Sequence, residues 1–341
     1  FKYNFDYDLI DVVSKDIQKI SIKKYIHKYI IMYILGFVAE GFGNKIYMLT
    51  YYIHIFFKIK KYKKLNKLYL VSYTSDHEKD LEEEKIYNIF PLLKNQDWLE
   101  WISWSKYKEL KKNVKSTISN NVIKNYEKIK LPLLFRGFIF NKKYFFQSRR
   151  FFTKLYQFDS SFSKLDSKFD FNQIAVHIRL GDKIKFLYKN YIEEKKNSPS
   201  IFTVLIPEFY QVLLDNFDIK KKVYIFTDSP KLFKQFYAPL LKHKHYLVDV
   251  NFYHAFYLMS KFRNIIVSES TISIFSTYLN NYNDKKILGH KYAIQYWNNP
   301  KKITYYDAEL IPDNATLLTD KKYFLNENLK ILKDMYLFSK R

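Results

Sequence analysis

Short apolar runs, each closed by a polar or glycine-containing turn and followed by a longer amphipathic stretch, recur along this 341-residue chain. Tyr29 to Leu35 is the first such run, and its unbroken apolar character predicts a parallel strand buried on both faces. A loop carrying Gly36, Gly41 and Gly43 follows, and Lys45 to Lys58 is apolar and long enough for a buried helix. Leu68 to Tyr73 predicts a second strand. Residues 76–130 are charged and read mostly as helix, with Trp98, Trp101 and Trp104 at i, i+3 and i+6 on one core-facing stripe. Residues 143–170 alternate aromatic with basic positions, predict no strand, and mark the junction between two domains.

The second half alternates more regularly. Strands are predicted at Ile174–Val176, Lys222–Phe226, Tyr246–Val248 and Asn264–Val267. Helices are predicted at Thr203–Phe217, Lys231–Tyr237, Ala255–Phe262 and Ser273–Asn280. Such alternation implies a parallel sheet covered on both faces, with ligands bound beyond the carboxyl ends of the strands. The expected organisation is an N-terminal Rossmann-like domain over 1–165, a second over 166–300, and a C-terminal helical extension over 301–341 with a helix from Phe324 to Leu337.

Composition changes this picture in two places. The formal net charge is +24 and comes almost wholly from lysine. Lys, Asn, Ile, Tyr and Phe dominate throughout, as an AT-rich coding sequence would dictate, so the charge is read first as solvated surface. A basic nucleic-acid-binding protein is the alternative, motivated also by the interleaved aromatics of Phe145 to Phe151. Peripheral association with an anionic membrane surface is a further use of such charge. The chain has no cysteine, which excludes disulfides and cysteine-based metal sites or nucleophiles. A reducing, cytoplasmic setting is expected, at the inner face of a membrane if the basic surface docks there. The sequon Asn314-Ala315-Thr316 speaks only weakly for secretion. Tyr25 to Phe57 is interrupted by Glu40, three glycines and Asn44-Lys45, so it reads as strand, loop and helix and not as a membrane span. A segment upstream of Phe1 is left open.

The candidate chemistry sits at three polar clusters, each directly behind a predicted strand. The first is His177-Ile178-Arg179-Leu180-Gly181-Asp182. Arginine and glycine each occur six times in the whole chain, so their meeting here is not compositional accident. Arginine offers a planar fork that matches phosphate oxygens, and glycine lets backbone approach a ligand closely. The second cluster is Thr227-Asp228-Ser229, and the third runs from Ser268 to Ser273. Both carry helix-capping residues, and a helix N-terminus with free N–H groups is also a phosphate site. Arg179 facing a diphosphate, with Asp228 toward a base or ribose, is the layout of a nucleotide-sugar site. The loop at Gly41-Phe42-Gly43-Asn44 lacks both the P-loop and the G-x-G-x-x-G spacing, and a plain strand-to-helix turn is an equal reading of it.

These segments, in this order, resemble glycosyltransferase family 11, the α-1,2-fucosyltransferases. The resemblance is carried by Gly41 to Asn44, His177 to Asp182, Val223 to Ser229, Leu258-Met259-Ser260, and Glu269 to Ser273 through Leu279-Asn280. It implies an α/β fold of GT-B-like type, two Rossmann-like domains whose parallel sheets face a cleft. It implies a fucosyltransferase with GDP-fucose as donor, a galactose-bearing glycan as acceptor, and inverting transfer that uses neither a metal nor a further cofactor. Arg179 and His177 would contact the diphosphate, Asp228, Ser270, Thr271 and Ser273 would line the nucleotide side, and Gly43 and Asn44 would face the cleft from the first domain. Asp182 and Glu40 are the candidates for the general base, and Asp182 could instead hold Arg179. The chain departs from the family pattern at Leu180, where a second arginine is usual, and at Lys183, Lys45, Ala255, Glu269 and Ile274-Phe275. A degenerate glycosyltransferase that only binds glycans is therefore a third reading.

Overall fold

The computed structural model describes residues 32–39, 41–73, 82–119, 125–136, 142–194, 204–268, 270–290, 295–299, 302–305, 312 and 314–340. Uninterrupted apolar runs become the central strands of two all-parallel sheets. The first sheet holds β1 (Tyr33–Ala39), β2 (Lys67–Tyr73), β3 (Leu99–Trp101), β4 (Ser116–Ser119) and β5 (Leu133–Arg136), in the order β3-β2-β1-β5-β4. The second holds β6 (Ile174–Ile178), β7 (Val223–Thr227), β8 (His245–Leu247), β9 (Asn264–Ile266) and β10 (Lys286–His290). Strands β11 (Gln295–Asn299) and β12 (Lys302–Tyr305) pair with each other as an antiparallel hairpin. The last strand, β13 (Thr316–Leu318), returns to the second sheet beside β10.

Read from β8, the second sheet runs β8-β7-β6-β9-β10-β13, the 3-2-1-4-5-6 order of a dinucleotide-binding fold. Its order reverses between β6 and β9. The first sheet reverses between β1 and β5. These switch points are where such sheets open a crevice at the carboxyl ends of their strands. The two Rossmann-like units make the GT-B-like α/β architecture that the sequence predicts.

Nine of the helices among the described residues pack around the two sheets and the loops between them. They are α1 (Phe42–Lys60), α2 (Glu82–Ile89), α3 (Trp104–Lys111), α4 (Arg149–Leu155), α5 (Gly181–Tyr188), α6 (Pro207–Leu214), α7 (Phe252–Met259), α8 (Thr271–Leu279) and α9 (Leu329–Ser339). Helix α1 is buried nearly all round because it packs on the first sheet and on the second unit together. Tyr47 meets Phe275 edge-on at 4.9 Å between ring centres, and Phe42 meets Phe256 at 5.8 Å. One apolar core therefore runs from α1 through α7 and α8, and a second lies on the other face of β6, β7 and β9. Within residues 301–341, expected as a helical extension packing back on a domain, β13 joins the second sheet and Leu332 and Met335 of the terminal helix enter that second core. No helix among the described residues is long and apolar enough to cross a membrane.

Three local expectations are corrected. Strand β1 runs on to Ala39 and takes in Gly36, which was read as loop. Gly36 is a packing glycine, since a Cβ there would press on the Tyr52 ring and on Leu70. The start predicted at Tyr29 lies outside the described residues. The three tryptophans do not share a helix. Trp98 precedes β3 and stacks on Phe56, Trp101 closes β3 and is buried, and Trp104 opens α3 with its indole 41% exposed. A strand, a turn and a helix start reproduced the helical spacing. The short strands β3, β4, β10 and β13 carry polar residues that break the apolar run, and the apolar part of β5 is only Leu133 to Phe135 behind Pro132.

Candidate functional site

Register brings the clusters together. Ile178 pairs with Thr227 across β6 and β7, and Val176 pairs with Ile266 across β6 and β9. The chain leaving β6 at Arg179 is thus flanked by the chains leaving β7 and β9. Arg179 extends its fork to two carboxylates, with Nη1 2.6 Å from Asp228 Oδ2 and Nη2 2.7 Å from Asp182 Oδ1. Asp228 Oδ1 also accepts from the backbone N–H of Leu180 at 2.9 Å, and Ser229 Oγ accepts from that of Gly181 at 3.0 Å.

These bonds revise the reading of Thr227-Asp228-Ser229 as a cap for the helix that follows it. Leu180 is the N-cap of α5 and has no polar side chain to serve its first turn. The β7 loop supplies the missing acceptors from across the sheet, which satisfies helix-end donors that would otherwise lack partners. Gly181 is required by the same contact, because a Cβ there would run into the Asp228 carboxylate. Leu180 is fully buried in the second core. An arginine side chain in that place would bury a charge without compensation, so leucine suits the position.

His177 is buried at the end of β6, and its Nδ1 lies 2.6 Å from Ser268 Oγ beyond β9. This bond spans the switch point. Burial, and then the positive charges of Arg179 and Lys183, push the His177 imidazole down to about 3. The ring is therefore neutral at ordinary pH, with its Nδ1 engaged by Ser268 Oγ.

The first unit reaches the same seam. Thr271 Oγ1 donates to Asn44 Oδ1 at 2.8 Å, and a Cβ on Gly43 would strike both Thr271 Oγ1 and the Ile272 backbone N. The N-termini of α1 and α8 thus abut at backbone distance, which glycine alone permits. Both carry partial positive charge from aligned peptide dipoles. Ser270 is the N-cap of α8 but makes no side-chain cap bond. Ser273 is fully buried and its Oγ donates back to the Ser270 carbonyl at 3.1 Å.

Arg179, Asp182 and Asp228 therefore form one group, and Gly43, Asn44 and Thr271 form another. His177 on β6 and Ser268 beyond β9 bond to each other across the switch point, while Ser273 is turned into its own helix. Glu40 and Glu269 lie outside the described residues. No group of three or more His, Asp or Glu side chains suited to a metal ion gathers among the described residues.

One partnership has no signal in the local sequence, and one tryptophan of the three is an exposed ring, the less favoured reading of that spacing. Ser229 serves α5 from 48 positions away, and no local pattern encodes that. Trp104 stacks on Tyr107 at 4.8 Å and meets Phe37 edge-on at 6.2 Å. This half-exposed aromatic ledge stands at the carboxyl edge of the first sheet, the edge from which α1 also starts. Its local signal was the Ser103 cap, whose Oγ accepts from the Lys106 N–H.

The chain matches no protein-family model and no curated protein. Among solved structures, fucosyltransferase NodZ from Bradyrhizobium is similar at 11% identity and a TM-score of 0.44, over 80% of this chain and 97% of that one. POFUT1, solved in complex with GDP, is similar at 10% identity and a TM-score of 0.37, over 76% and 98%. Heptosyltransferase WaaC from E. coli, solved with ADP, is similar at 8% identity and a TM-score of 0.39, over 89% and 100%.

Proposed function

We propose that this protein is a glycosyltransferase that moves fucose from GDP-fucose to a glycan hydroxyl, α-1,2 to galactose, with inversion and without a metal. One observation carries the transferase reading. The single arginine of the His177–Asp182 loop leaves β6 beside the switch point of a dinucleotide-type sheet, and the N-termini of α1 and α8 meet through Thr271 and Asn44. The choice of GDP-fucose and galactose rests on the motif order alone.

In this reading the diphosphate takes the place of Asp182 on Arg179. Asp182 is the more exposed of the two carboxylates, at 73% against 24% for Asp228. Asp228 stays behind the guanidinium and holds its plane toward the phosphate. The N–H groups opening α8, with Thr271, meet the oxygens on the other side. Charge developing on the departing phosphate is then met by donors already in place. Asp182, released from Arg179, is the base for the acceptor hydroxyl, a role worth about 10²–10⁴-fold in rate. His177 stays neutral and fixes the β6 and β9 ends through Ser268. The Trp104 ledge offers a ring face to the acceptor sugar.

Incubation with GDP-fucose, GDP-mannose, UDP-galactose and an ADP-sugar tests this proposal. Nucleotide release is expected from GDP-fucose alone, to be accelerated by a galactoside and lost in Arg179→Ala. Preference for another sugar nucleotide would overturn the donor, and release from none would overturn the enzyme.

A further inference from the structure

A cavity of about 610 Å³ lies on the other side of the second unit. Its walls are the connection over residues 153–163 and the C-terminal ends of α7 and α8. Strands β9 and β10 begin just after those helix ends, so the cavity sits at the amino edge of the sheet whose carboxyl edge carries Arg179. Thr271 and Leu279 are the two ends of α8, about 12 Å apart at 1.5 Å per residue. The cavity is therefore separate from the proposed donor site.

Its chemistry differs from the rest of the surface. In a chain of net charge +24, the lining holds one lysine and one aspartate, and both are already engaged. Lys261 Nζ stands 3.8 Å from Asp166 Oδ2 and 5.1 Å from the centre of the Tyr257 ring. Asp159 Oδ1 accepts from the Ser161 N–H at 2.9 Å. The amides of Gln157 and Asn281 line the space, are exposed, and make no side-chain hydrogen bond among the described residues, so both are open to a ligand that displaces water. Phe158 and Tyr282 supply ring surface between them. The volume falls within the ordinary range for small-ligand sites.

Amides and aromatic rings in one lining, whose single lysine and single aspartate are opposite in charge, suit a ligand that has many hydroxyls and no net charge. The amides both donate and accept, as hydroxyls do, and ring faces cover the C–H patches of a pyranose. We propose that this cavity is a second, saccharide-binding site for an uncharged mono- or disaccharide, independent of the donor site.

The test is saturation-transfer NMR on the full chain with lactose, cellobiose and N,N′-diacetylchitobiose, alongside the charged sugars glucosamine and galacturonate. At least one neutral disaccharide is expected to bind. Gln157→Ala, Asn281→Ala and Tyr282→Ala should each weaken it fivefold or more, while melting temperature and GDP binding stay at the wild-type level. Arg179→Ala should leave it intact. Binding by no neutral sugar, tighter binding of a charged one, or binding lost in Arg179→Ala and kept in the cavity variants would overturn the proposal.

Discussion

Arg179 has both arms of its guanidinium held by carboxylates, and the two partners differ in kind. Asp182 is largely solvent-exposed, so its pair with Arg179 is worth about 1 kcal/mol or less. Asp228 is mostly covered and also accepts from Leu180, so removing it leaves a backbone donor and a guanidinium short of partners. Such losses cost about 1–3 kcal/mol. Asp182→Asn is expected to tighten GDP binding several-fold, by removing a competitor for Arg179, while abolishing sugar transfer and leaving the melting temperature unchanged. Asp228→Ala is expected to lower the melting temperature by several degrees and to weaken GDP binding. Thermal melts and GDP titrations of the two variants check this, and identical behaviour would contradict it. Arg179, Gly181 and Asp182 were legible in the sequence because arginine and glycine are scarce in it. The task of Asp228 was not, because the atoms it serves are 48 positions away.

Strands that are uninterrupted apolar runs, such as β1 and β6, announce themselves in the sequence, and β3 at its sheet edge does not. Strand β6 is buried at every position, so its apolar run was plain. Strand β3 carries Glu100, whose carboxylate meets Lys67 at 3.4 Å and Lys106 at 3.8 Å, and that exposed charge hid it. Between β6 and β9, the burial of His177 beside Arg179 and Lys183 has a thermodynamic consequence. An unfolded histidine takes a proton near its ordinary value of 6.5, while the folded His177 refuses one down to about 3. Protons therefore favour the unfolded chain as pH falls below about 6.5, and the stabilisation is intact above that value. Between pH 7 and 5 the loss from this group is about 2 kcal/mol. The stability difference between wild type and His177→Asn, from denaturant unfolding, should shift against wild type by that amount over that range. A difference that does not change with pH would contradict it.

At the scale of the molecule, the sequence showed that strands alternate with helices but not which strands are neighbours. Strand order follows from packing, and so does the meeting of Asn44 with Thr271 across 227 positions. The motif order anticipated a two-unit architecture, yet the shared aromatic core that locks α1 against α8 had no sequence signal beyond an abundance of rings. The charge of +24 likewise did not point to the seam, where Arg179 is paired with Asp182 and Asp228 and two helix N-termini meet. The central claim is that this seam binds a nucleoside diphosphate. Calorimetric titration of GDP into wild type and Arg179→Ala tests it most directly. Saturable one-to-one binding by wild type is predicted, weakened at least tenfold in a variant that melts at the same temperature. No binding by wild type, or equal affinity in the variant, would contradict the account.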